Sequence, residues 1–119
     1  MLGSTLYYTS LDCGTFSAIP ICPETGLPTG PTEMIVGGII AGDDFAISPG
    51  GDKALIANNG ESTLTLVDIP GKSTSIVANS TLLQAVSTVA FGHERHGLTP
   101  LYVAAASGSS GNVTVRSVV

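Results

Sequence analysis

Three stretches of the chain repeat one another: LYYTSLDCGTFSAIPI, ALIANNGESTLTLVDI and LYVAAASGSSGNVTVRSV. Each is a short apolar run, a turn cluster rich in Ser, Gly or Asn, and then an alternating run. They begin at Leu6, Ala54 and Leu101, 48 and 47 residues apart. A second pair, DDFAISPGG and STVAFGHER, sets Asp43 against Ser87 at a spacing of 44 residues. A period in the forties made of four short strands is the pattern of a propeller blade. It predicts an all-β chain, a partial β-propeller of antiparallel four-stranded blades.

Counting strands A to D outward from the central channel, the complete blade has strand A at Asp44 to Ser48 and strand B at Lys53 to Asn58. Strand C is expected at about Leu64 to Ile69 and strand D at about Ser75 to Ala78. Asn59-Gly60 ends strand B, because Asn-Gly supplies the positive φ angles of a tight hairpin. Pro70-Gly71 stops strand C. Residues 1–38 read as strands B to D of one blade, ending in TEMIVGG. Residues 39–82 read as the complete blade, and 83–119 as strands A to C of the next. Helical periodicity is missing nearly everywhere; NSTLLQAVS is the one stretch with room for a turn or two of helix.

Composition supports packed β structure and excludes some partners. Hydrophobic residues make up 43% of 119, ample for a core, while charged residues are 11%, well below the roughly 25% of ordinary soluble domains. A net charge of -5 with four Lys or Arg leaves no cationic cluster for a phosphate backbone, so nucleic acid is not an expected partner. No apolar run reaches the roughly 18 residues of a membrane span. The opening MLGSTLYYTS lacks the cationic and apolar regions of a signal peptide. The expectation is an extracellular location if the chain is a piece of a secreted parent, and a cytoplasmic one otherwise.

The stretches LYYTSLDCGTFSAIPI, DDFAISPGGDKALIANN and VSTVAFG with LYVAAASG resemble the senescence-marker-protein/gluconolactonase/regucalcin family, particularly its fungal relatives. The likeness runs over almost the whole chain. It rests on a rhythm, A-x-S-P-x-G-x-x-L-x-V-A, that many six-bladed propellers carry. It implies a six-bladed ring considerably longer than this chain. It also implies metal-dependent lactone hydrolysis, with one divalent cation held at the channel mouth by acidic and Asn side chains at the starts of strands A. Some fungal relatives resemble metal-free pericyclases instead. Two and a half blades do not close, and closure is how a propeller removes its free edges. Either the chain belongs to a longer protein or several copies, or a partner supplying blades, complete the ring around a small-molecule ligand.

Asp43 matches the position where the family places a metal ligand. Oxygen donors there suit Ca²⁺ ahead of Mg²⁺ or Zn²⁺, the last preferring N or S ligands. The alternative role for Asp43 is a loop cap bonding backbone N–H groups. Asp44 faces the other way by strand alternation and is expected to bond the neighbouring blade. Ser87 is the counterpart of Asp43 one blade on, a hydroxyl where a carboxylate would be a stronger ligand. Asn58 and Asn59 end strand B on the same face as the start of strand A. They are candidate binding groups as well as a turn signal. Asn79 (NST) and Asn112 (NVT) are glycosylation sequons.

Other temptations fail on spacing. HERH at His93 to His96 is not the H-E-x-x-H of a zinc helix. It sits in an A–B loop about 17 Å from Asp43, five strand residues at about 3.3 Å each, and reads as a solvated turn. No G-x-S-x-G elbow is present. Cys13 and Cys22 flank strand C of the first blade. Nine residues of extended chain separate them by about 30 Å, against the ~5.5 Å of a disulfide.

Overall fold

Leu55 and Ile56 are neighbours in sequence, and both are fully buried. On a strand, neighbours point to opposite faces, so this strand must be covered on both sides. The computed structural model describes residues 4–80, 83, 85–93, 100–107 and 110–117, with side chains described except at 87, 100, 104–107 and 110–117. It shows how the double cover arises.

Among the described residues, ten strands form three antiparallel sheets. The first contains β1 (Ser4–Ser10), β2 (Thr15–Ile21) and β3 (Glu33–Val36), in spatial order β1-β2-β3. The second contains β4 (Gly42–Ile47), β5 (Lys53–Asn58), β6 (Thr63–Asp68) and β7 (Ser73–Asn79), in order β4-β5-β6-β7. The third contains β8 (Val86–Phe91), β9 (Pro100–Ser107) and β10 (Ser110–Ser117), in order β10-β9-β8. Among the described residues no α-helix occurs, and within NSTLLQAVS the Leu83 N–H closes a single turn on the Ser80 carbonyl at 2.9 Å. Each sheet is a meander with its strands in chain order, as a blade requires.

The middle sheet lies between the other two. On one face Ala54, Ile56 and Val67 pack with Phe16, Ile35, Val36 and Ile39. On the other, Leu55, Ala57 and Leu64 pack with Val86, Val89, Leu101 and Val103. Phe16 is the hinge of the first interface. It stacks on Tyr7 at 5.7 Å between ring centroids and meets Phe45 edge-on at 5.1 Å, both favourable aromatic geometries. The radius of gyration is 14.8 Å, larger than the about 13.5 Å of a compact chain of this length, as suits an open arc.

Strand A of the middle blade and strand A of the last begin with the same irregularity. The β4–β5 register slips between Gly42 and Asp44, and the β8–β9 register between Val86 and Thr88. Asp43 and Ser87 are therefore the extra residues of two bulges, 44 positions apart. A bulge re-aims the side chain it carries. Before each bulge stands an alanine in the left-handed region, Ala41 at φ 52° and Ala85 at φ 56°. Gly42 is required by contact rather than by φ: a Cβ there would meet Ile39 Cγ2 at 2.8 Å and Ile56 Cγ2 at 3.3 Å.

Relief of about 1–2 kcal/mol of left-handed strain outweighs the extra freedom that a glycine brings to the unfolded chain. The Ala41→Gly variant is therefore expected to be about 0.5–1 kcal/mol more stable than the parent. Urea denaturation checks this, and a lowered midpoint would contradict the assigned backbone.

Candidate functional site

Asp43 is exposed on its bulge at the start of β4. Beside it the chain returns along β5, so Gly42 pairs with Asn58. The turn at Gly60 (φ 89°) then leaves Asn59 next to the bulge. The Asn59 backbone N–H donates to the Ala41 carbonyl at 2.9 Å, and its Nδ2 donates to Asp43 Oδ2 at 3.4 Å. The second bond is long and therefore weak. It orients the carboxylate without consuming its acceptor capacity, which is about four lone-pair sites. Asp43, on the bulge of β4, and Asn59, just after β5, thus stand side by side.

Asp44 points elsewhere. Its Oδ2 accepts from Thr88 Oγ1 at 2.5 Å and from the Val89 backbone N–H at 3.4 Å. The carboxylate ties the middle blade to strand A of the next, the structural role its alternation predicted. The two adjacent aspartates differ: Asp43 is exposed and takes a long bond from Asn59, whereas Asp44 is engaged between blades.

Asn58 is spent as well. It is 3% exposed. Its Nδ2 donates to the Ile40 carbonyl at 2.7 Å and its Oδ1 accepts from Thr65 Oγ1 at 2.6 Å. This amide fastens the loop between the first two blades to β5 and β6. Thr65 and Thr88, the partners in these two clamps, carry no sequence signal of their own. They are threonines among many in β strands, and only the register brings them to Asn58 and Asp44.

The remaining candidates are placed as follows. Of Ser87 only the backbone is described; its side chain lies outside the described residues, as does that of Asn112. Asn79 is exposed at the end of β7. His93 is exposed, while Glu94 to His96 lie outside the described residues. Cys13 and Cys22 are free thiols at opposite ends of β2. The Cys22 thiol donates to Glu24 Oε2 at 3.1 Å. That bond holds the Glu24 carboxyl below the usual carboxylate range, because it favours the charged acceptor. Among the described residues, no three His, Cys, Asp or Glu come together as a metal-holding group.

A half-open groove of about 180 Å³ runs beside the Asn58 clamp. Its walls include Ile40 from the interblade loop and Thr63, Thr65, Thr74 and Ile76 from the middle blade. Its volume is below the roughly 300 Å³ at which small-molecule pockets begin.

No protein-family model and no curated protein sequence matches the chain. Solved structures do. One is a calcium-binding protein, regucalcin, from Agrobacterium tumefaciens strain C58, with a TM-score of 0.65 and 23% identity over 88% of this chain. Another is the hydrazine synthase of Kuenenia stuttgartiensis, with a TM-score of 0.59 and 18% identity over 93% of this chain. The matched region spans 35% of the regucalcin chain and 31% of the synthase chain. At these identities the likeness shows the fold: an all-β arc of propeller-like blades similar to part of regucalcin.

Proposed function

We propose that the chain is an arc of a six-bladed ring whose channel mouth binds one divalent cation, Ca²⁺ ahead of Zn²⁺ or Mg²⁺, and that the whole ring hydrolyses a lactone. The observation that carries this reading is the Asp43 carboxylate, re-aimed by its bulge, exposed, and turned toward Asn59. Its likeness to part of a calcium-binding regucalcin supports the choice of ion.

The described donors of one chain do not fit a complete site. Ca²⁺ takes about six to eight oxygen ligands, and here one carboxylate and one amide stand together. No step of hydrolysis is derived from these residues, and the lone chain is expected to be inactive. That shortage favours a second reading, a non-catalytic binding or assembly module. The exposed Asn79 is open to glycosylation where the parent is secreted.

Titration with calcium tests the ligand assignment. The amide resonances of Asp43, Asp44 and Asn59 are expected to move with a dissociation constant of about 10⁻³ M, the weak end of calcium sites. The movement should vanish in Asp43→Asn, which keeps the shape and removes the charge. Resonances that ignore millimolar calcium, or that still respond in Asp43→Asn, would remove Asp43 from the site.

A further inference from the structure

The two outer blades each expose a face that the repeat identifies. Leu6 and Tyr8 on β1 are the counterparts of Ala54 and Ile56 on β5, 48 residues earlier. Ala54 and Ile56 are fully buried against the first blade, whereas Leu6 is 52% exposed and Tyr8 37%. At the other end Tyr102 is the counterpart of Leu55, which is fully buried against the last blade, yet Tyr102 is 44% exposed. Tyr102 pairs across the strands with Ala90, as Leu55 pairs with Ala46.

This exposure is not a general looseness of the sheets. Met34 on β3 and Ile76 on β7 occupy equivalent outer positions, opposite Ser17 and Thr65. They are 56% and 65% exposed. Ile76 is open although a blade stands on each side of its sheet, so a missing neighbour does not explain either residue. Leu6, Tyr8 and Tyr102 differ because their counterparts are sealed.

The chain also shows what seals such faces. Twice within it, the forward face of one blade covers the back face of the next. The back face of the first blade and the forward face of the last are the two unmatched halves of that interface. Leu6, Tyr8, Ala90 and Tyr102 are uncharged, so no like-charge repulsion opposes their contact.

We propose that these halves meet between copies: Ala90 and Tyr102 of one chain pack on Leu6 and Tyr8 of a second, head to tail. The contact is heterologous, and head-to-tail contacts close into a ring where the rotation allows; the three sheets of each of two copies would together make the six blades of the proposed ring. The inference rests on the blade reading of the fold and is independent of the metal assignment.

Light scattering of the intact chain at tens of micromolar tests it. Growth with concentration beyond the 12.0 kDa of one chain is expected. Tyr8→Lys and Tyr102→Lys should each abolish the growth, by at least a tenfold loss of apparent affinity. An equimolar mixture of the two variants retains one intact pair of halves, so it should stop at a dimer. Met34→Lys should associate like the parent. A parent chain that stays monomeric overturns the proposal. So does a mixture of the two variants that does not pair. Sensitivity to Met34→Lys equal to that of Tyr8→Lys would mean unspecific apolar aggregation and would overturn it as well. Calcium titration reads a different mouth and would be unaffected by any of these outcomes.

Discussion

Phe16→Ala is expected to destabilise the chain by about 3–5 kcal/mol, as large-to-small changes of buried aromatics do. Phe16 is fully buried, and its ring touches both Tyr7 of its own sheet and Phe45 of the next. Its loss removes the transfer term, leaves a cavity, and forfeits two ring pairings of about 0.5–1.5 kcal/mol each beyond area. Domains of this size hold only about 5–15 kcal/mol in total. The loss should also be local. The first blade packs on the middle one through Phe16, Ala18, Ile35, Val36 and Ile39, whereas the middle blade has a second cluster on its other face. Amide exchange in β1 to β3 should therefore accelerate far more than in β5 and β6. Urea midpoints give the total and hydrogen exchange gives the distribution. A cost below 1 kcal/mol, or uniform acceleration, would mean that the first blade does not dock through this ring.

The fold was legible because blades repeat and strands end at turns. β5 begins at Lys53 and ends at Asn58, the bounds that its flanking turn clusters predict. The expected strands C and D of the middle blade differ from β6 and β7 by one or two residues, where local propensity is flat and hydrogen bonding decides. The irregularity at the start of strand A was not legible. Ala41 and Ala85 adopt positive φ without the Gly or Asn that would announce it. The site was half legible. Asp43 and Asn59 stand side by side because antiparallel neighbours bring the end of one strand to the start of the other. Asn58 reads as part of an Asn-Asn-Gly turn, yet its amide is buried in a clamp. The acceptor it serves, the Ile40 carbonyl, is a backbone group 18 residues away, and no side-chain pattern can name it.

Asn58→Asp should be the most damaging conservative change, and its cost should depend on pH. The parent amide donates to the Ile40 carbonyl at 2.7 Å; an ionised carboxylate in its place would set acceptor against acceptor. An uncompensated buried charge costs about 3–5 kcal/mol. The site is almost closed to water, so burial raises the folded-state pKa of the new carboxyl above its unfolded value of about 3.9. For an acid shifted in that direction the protonated form favours folding. The variant is therefore relatively most stable below the unfolded pKa and loses stability as pH rises through the folded one. When protonated, the carboxyl O–H replaces the lost donor to Ile40, while the other oxygen still accepts from Thr65. Urea midpoints of the variant and the parent, measured at about pH 4 and pH 7, should differ least at the lower pH, where protonation of the new carboxyl is favoured. Asn58→Ala removes both bonds without adding a charge, so its cost of about 2–3 kcal/mol should change little between the two pH values. Asn59→Asp, half-exposed beside Asp43, should cost less than about 1 kcal/mol at either. Equal, pH-independent losses for Asn58→Asp and Asn59→Asp would show that the Asn58 amide is not the buried clamp between the first two blades.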